Sequence, residues 1–290
     1  MGGIVIGVDG SDSAARALRW AAREAELHGW ELHALLAWGY LSQYHADRTA
    51  AFNPDYDAAE ALTALAAYVQ EALGAERAAT VHCTEVCELP AGALLDAGAE
   101  ADLVVLGARG LGGFKGMLLG SVSQHCLQHA TRPTAIVHEL ATPSDPSAPP
   151  RIVVGIDGSH TSQQALRWAV EEARVRQATV EVVHAWHLAY VGGYPYTAGS
   201  FDPAPFEDAA RQALDEAIAG VDTTGLPGPL HPVLHMGDAA GGILETAQGA
   251  DLVVVGSRGL GGFTGLLLGS VGHQVANHAP CPVVVIPPGG

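Results

Sequence analysis

Ala101-Asp-Leu-Val-Val-Leu-Gly-Ala-Arg-Gly-Leu-Gly-Gly-Phe114 decides the fold, because the chain repeats it as Ala250-Asp-Leu-Val-Val-Val-Gly-Ser-Arg-Gly-Leu-Gly-Gly-Phe263. In each copy a short apolar run, the length of a buried strand, enters a glycine-rich loop. Nine residues separate the second loop glycine from Gly120-Ser121 in one copy and from Gly269-Ser270 in the other, giving G-x2-G-x9-G-S twice. Other segments recur at nearly the same spacing. Gly3-Ile-Val-Ile-Gly-Val-Asp-Gly-Ser11 returns as Arg151-Ile-Val-Val-Gly-Ile-Asp-Gly-Ser159, and Ala17-Leu-Arg-Trp-Ala21 returns unchanged as Ala165-Leu-Arg-Trp-Ala169. A kept repeat of this length means that each half is one complete domain.

The halves are expected at 1–140 and 151–290. Between them Ala141-Thr-Pro-Ser-Asp-Pro-Ser-Ala-Pro-Pro150 carries four prolines among small residues, a semi-extended linker. In the first half the pattern predicts strands near Ile4–Val8, Leu32–Trp38, Thr80–Val86, Asp102–Leu106 and Thr134–Val137. Helices are predicted after Ser11 or Ser13 as cap, and near Ala58–Leu73, Ala91–Ala99 and Ser121–His129. Apolar Ala14, Ala17, Leu18, Ala21 and Ala25 lie on one helical face, and Gly29 ends that helix. Long polar and aromatic stretches, Gly39–Asp57 and His187–Pro205, are candidate loops or lids. The expected fold class is α/β: two tandem doubly wound five-stranded parallel-sheet domains, with ligands past the carboxyl ends of the strands.

Composition narrows the function. The chain has 290 residues, 48% of them hydrophobic and 16% charged, a globular profile. Its formal charge of −17, with Lys115 its only lysine, argues against nucleic-acid binding. Four cysteines without a CxxC pair are expected as free thiols of a reducing compartment. No apolar stretch is long enough for a membrane helix, and the amino terminus does not look like a signal peptide, so the expected place is the cytoplasm. Scarce lysine beside abundant alanine and glycine points to a GC-rich bacterial genome.

The glycine loop carries the chemistry. Glycines at Gly107, Gly110, Gly112, Gly113, Gly256, Gly259, Gly261 and Gly262 permit positive φ and let backbone approach a ligand without a Cβ in the way. Gly120-Ser121 and Gly269-Ser270 open helices whose free N–H groups and positive dipole end favour phosphate. The serine hydroxyls add a hydrogen bond or cap the helix. Asp9 and Asp157, ending the first strand of each half, are placed to hold ribose, an adenine donor, or Mg²⁺ through water. Arg109 and Arg258 either reach phosphate or ribose or form surface ion pairs.

With Gly7-Val-Asp-Gly-Ser11, the glycine loop and Leu119-Gly-Ser-Val122, and their partners Gly155-Ile-Asp-Gly-Ser159 and Leu268-Gly-Ser-Val271, the chain resembles a tandem member of the universal stress protein family over nearly its whole length. The resemblance implies a Rossmann-like parallel sheet in the order 3-2-1-4-5 and ATP across the ends of strands one and four. The loop Gly107, Ala108, Arg109, Gly110, Leu111, Gly112, Gly113 with Gly120, Ser121, Val122 and Ser123 would wrap ribose and phosphates. Asp9 beside Gly7 would contact the nucleotide, and backbone near Ala37 would meet adenine. In the second half the same roles fall to Gly155, Asp157, Ala185, Gly256, Ser257, Arg258, Gly259, Leu260, Gly261, Gly262, Gly269, Ser270 and Val271. Where Ser123 offers a hydroxyl the second half has Gly272, so the second site is expected to hold phosphate less tightly. The resemblance also implies pairing of the two strand-five edges inside the chain, and a homodimer of chains.

No Walker A loop, HExxH or G-x-S-x-G elbow is present, and the scattered histidines form no ligand cluster in the sequence. Trp20 and Trp168 fall on apolar helix faces. Three functions compete: a regulatory ATP-binding module in a bacterial stress response, a slow ATPase or nucleotide- or phosphate-transfer enzyme using Asp9 and Asp157 with Mg²⁺, and a structural interaction protein whose loops bind nothing.

Overall fold

The computed structural model describes residues 2–38, 57–111, 118–138, 149–187, 202–260 and 268–289. Most of both candidate lids, most of the linker, and Gly112, Gly113, Gly261 and Gly262 lie outside the described residues.

The first half runs β1 (Gly3–Gly7), α1 (Asp12–His28), β2 (Glu31–Ala37), α2 (Ala58–Leu73), a short α3 (Ala75–Ala78), β3 (Val81–Val86), α4 (Pro90–Gly98), β4 (Leu103–Gly107), α5 (Ser121–His129) and β5 (Thr134–Val137). The second half runs β6 (Arg151–Ile156), α6 (His160–Arg176), β7 (Thr179–Trp186), α7 (Ala204–Ala219), β8 (His231–Met236), α8 (Ala239–Thr246), β9 (Leu252–Gly256), α9 (Ser270–His278) and β10 (Val283–Ile286). Local sequence explains the helix limits. Ser11 caps α1 by accepting the Ala14 N–H at 3.1 Å, and Ser159 caps α6 by accepting the Ser162 N–H at 3.2 Å. Gly29 ends α1 in the left-handed region at φ 66°, where a side chain is strained.

All ten strands form one sheet, in the order β3-β2-β1-β4-β5-β10-β9-β6-β7-β8. Each half has the 3-2-1-4-5 order and is parallel throughout. The halves join through β5 and β10, which pair antiparallel with Ile136 opposite Val283 and Ala135 opposite Val284. This is the internal pairing that the family resemblance implied. Strand alternation sends Ile4, Ile6, Val105 and Val137 toward one helix layer with α1 and α6, and Val5, Val104, Leu106 and Ile136 toward the other. Burying each such side chain contributes roughly 1.5–3 kcal/mol. Trp20 is buried in the first of these layers, and Trp168 is half-buried against it.

Among the described residues, ion pairs cross the junction at one place. Glu24 and His28 of α1 face Glu172 and Arg176 of α6. Arg176 pairs with both carboxylates, and His28 Nε2 lies 3.1 Å from Glu172 Oε2 while stacking on Trp30. Burial pushes the Glu24 carboxyl above its usual range despite Arg176. At Glu172, burial acts upward too, but the His28 bond and the Arg176 charge win and hold it below. Glu24, His28 and Glu172 bring three potential ligand atoms together. Arg176 already engages both acids, which makes the cluster an ion-pair network between the halves.

Candidate nucleotide site

β1 delivers the chain to a tight turn at Asp9-Gly10-Ser11, where Gly10 takes φ 84°. Asp9 Oδ1 accepts the Ser11 N–H at 3.0 Å, and its Oδ2 accepts the Leu111 N–H at 3.1 Å, 102 residues away. The second half does the same: Asp157 Oδ1 accepts from Ser159 N at 3.0 Å and Oδ2 from Leu260 N at 2.7 Å. Each aspartate therefore ties the strand-one turn to the glycine loop after the fourth strand. At Asp157 burial acts to raise the pKa, yet hydrogen bonds from Ser159, Leu260 and Ser162 outweigh it and hold the carboxyl below its ordinary value. A Cβ at Gly110 would lie 2.3 Å from Asp9 Oδ2, and one at Gly259 would lie 2.2 Å from Asp157 Oδ2. Only glycine lets loop and carboxylate approach this closely.

Beyond each loop a helix opens without a side-chain cap. Gly120 is the N-cap of α5 and Gly269 that of α9, and among the described residues neither helix has a side-chain cap hydrogen bond. The loops close onto these ends, with Gly120 N bonded to the Ala108 carbonyl and Gly269 N to the Ser257 carbonyl, both at 2.7 Å. Ser121 and Ser270 are exposed first residues of their helices and do not serve as the caps. First-turn N–H groups and the positive end of the helix dipole remain for an anion. Arg109 and Arg258 are exposed on the same loops and make no ion pair with a described residue.

Several expected roles change. Among the described loop glycines none has positive φ; close approach is what they provide. Gly107 packs against Ser13 and Gly256 against Thr161. Gly7 and Gly155 leave room for Leu94 and Ile243 of the packed helices. Ala108 and Ser257 are buried, and the Ser257 hydroxyl has no hydrogen-bond partner among the described residues. Val122 and Val271 pack, half-buried, against the same layer. Ser123 is also buried and donates its hydroxyl to the Gly107 carbonyl at 2.8 Å, so it braces the loop. Ala37 and Ala185 stand half-buried near the carboxyl ends of β2 and β7. Two contributors escaped the sequence reading. Ser13 accepts the Arg109 N–H at 3.3 Å, and Tyr68 of α2 donates to the Ser11 carbonyl at 2.6 Å. Ser13 was visible only as a possible cap; Tyr68 lies too far along the chain for any local signal.

Known proteins can be set against this geometry. The profile described as the Universal stress protein family matches residues 1–138 and 150–287. A universal stress protein of Mycolicibacterium smegmatis is 36% identical over 293 residues, covering 99% of this chain and 97% of its own. One from Mycobacterium tuberculosis is 34% identical over 290 residues, covering 98% and 95%. Among solved structures, a universal stress protein from Archaeoglobus fulgidus shares the fold, with a TM-score of 0.65 at 19% identity over 99% of this chain and 98% of that one. Two family-profile matches that fall on the two structural repeats, and relatives similar from end to end, place the chain in the universal stress protein family.

Proposed function

We propose that the chain is an ATP-binding member of this family, a regulatory nucleotide-binding module in a bacterial stress response. The observation that carries the reading is the twice-built crevice. In each half an aspartate holds a glycine loop over a helix N-terminus that lacks a side-chain cap. The residues fit a nucleotide polyphosphate. Backbone N–H groups of α5 and α9 would receive phosphate, and Arg109 and Arg258 would supply positive charge in an acidic protein. Ala37 and Ala185 would present backbone to the base. Asp9 and Asp157 already accept two backbone N–H groups each, which favours a loop tether over a catalytic base. Occupancy, with slow or no turnover, is then the signal. The reading includes a homodimer of chains; a light-scattering mass of one chain would reject that part.

The test is calorimetric titration with MgATP, with phosphate release followed in parallel. Wild-type protein is expected to bind ATP without matching turnover, and Gly110→Ala combined with Gly259→Ala to lose binding while keeping its circular dichroism. Absence of binding at millimolar MgATP would overturn the reading.

A further inference from the structure

The repeat provides an internal control, since the two crevices differ in how they are held. In the first, Tyr68 reaches from α2 to the Ser11 carbonyl, beside the turn that carries Asp9. Burial and then the nearby Asp9 charge push the Tyr68 phenol above its ordinary pKa, so the O–H stays protonated and donates. In the second, the matching Ser159 carbonyl receives the Ser162 hydroxyl at 2.9 Å, from three residues along the same helix. Placing the packed positions Ala61, Leu65 and Val69 of α2 on Ala210, Leu214 and Ile218 of α7 puts Ala217 where Tyr68 stands. An alanine methyl can donate nothing.

Two further braces follow the same division. Ser123 holds the Gly107 carbonyl in the first half, and its counterpart Gly272 has no hydroxyl. Ser13 holds the Arg109 N–H, whereas its counterpart Thr161 turns its methyl toward Gly256. In the first half the glycine loop is therefore tied to α1 and α5 by the Ser13 and Ser123 hydroxyls, and the turn beside it to α2 by the Tyr68 hydroxyl.

We propose that Tyr68 is a positioning residue of the first nucleotide site, and that the two sites are unequal, the first binding more tightly because its turn is held from a second helix and its loop by two hydroxyl braces that the second half lacks. A site ordered before binding loses less entropy on binding. The inference rests on the ATP reading above. It replaces the expected reason for inequality, a Ser123–phosphate contact, with bracing of the loop.

The experiment titrates MgATP into wild type, Tyr68→Phe, Ser123→Gly and Gly259→Ala, with amide hydrogen exchange of the free proteins alongside. Phenylalanine keeps the ring and removes only the hydroxyl; Ser123→Gly tests the bracing at a second position. Wild type is expected to show a tighter and a weaker class. Gly259→Ala should keep the tighter class. Tyr68→Phe and Ser123→Gly should each weaken it by about three- to tenfold and leave the weaker class unchanged. In Tyr68→Phe the amides of residues 9–14 should exchange faster, with residues 157–162 unchanged. Two equal classes, loss of the tighter class in Gly259→Ala, or two-site binding untouched by Tyr68→Phe would overturn this inference alone. Failure of wild type to bind MgATP would overturn the ATP reading and this inference with it.

Discussion

Leu260 donates its backbone N–H to Asp157 Oδ2 at 2.7 Å, across 103 residues of chain, and the Cβ that Gly259 lacks would fall 2.2 Å from the same oxygen. Strand end, carboxylate and glycine loop are thus one unit, built again around Asp9 and Leu111.

The tether predicts a pH dependence. The Asp157 carboxyl is held below its ordinary pKa in the fold, so its ionised form contributes stability above the unfolded value of about 4 and loses it as pH falls toward the folded one. Urea unfolding of wild type and Asp157→Asn should differ most near neutrality, with the gap closing below about pH 4. A gap that does not change with pH would contradict the assignment.

The loop glycines should be separable. Gly110→Ala drives a methyl into Asp9 and Gly259→Ala one into Asp157. Each should weaken ATP binding at its own site by about tenfold or more, from the 1–3 kcal/mol typical of such overpacking. Binding stoichiometry and affinity for each single variant check this.

Ser257 offers a gain of stability. Its buried hydroxyl has no partner among the described residues, and the first half places Ala108 there. Ser257→Ala should raise the denaturation midpoint, by on the order of 1 kcal/mol in stability. A lower midpoint would mean that the hydroxyl is bonded after all.

Arg176 should matter far more. Arg176→Met would leave Glu24 and Glu172 buried without their shared cation, at a cost of about 3–5 kcal/mol. Replacing all three with apolar residues of similar size should recover most of that loss, because removal of the whole network also removes its desolvation cost. Chemical denaturation of the two variants compares them directly.

Much of this was legible in the sequence. Short apolar runs alternating with helical faces indicated the α/β sheet class, and the near-exact repeats indicated two tandem halves. The recurring apolar runs of β5 and β10, with the family resemblance, indicated the internal junction. What escaped depends on distant packing. The four-residue α3 is too short to show a period. Ser123 and Ser121 differ by two residues in sequence, yet one is buried on a carbonyl and the other is exposed. Only three-dimensional placement separates them. The Glu24–Arg176 network did leave a trace: Glu24 lies on the same apolar stripe as Ala17 and Ala21, and Glu172 repeats it on α6. A charge on a buried face in both halves calls for a partner, but the sequence does not say that it lies across the junction.

The central claim is tested most directly by equilibrium dialysis of the purified chain against MgATP, with bound nucleotide quantified by chromatography after denaturation. The account predicts ATP, intact, approaching two molecules per chain at saturation, one for each glycine loop. No bound nucleotide at millimolar MgATP would contradict it, and would leave two well-built loops without the ligand assigned to them.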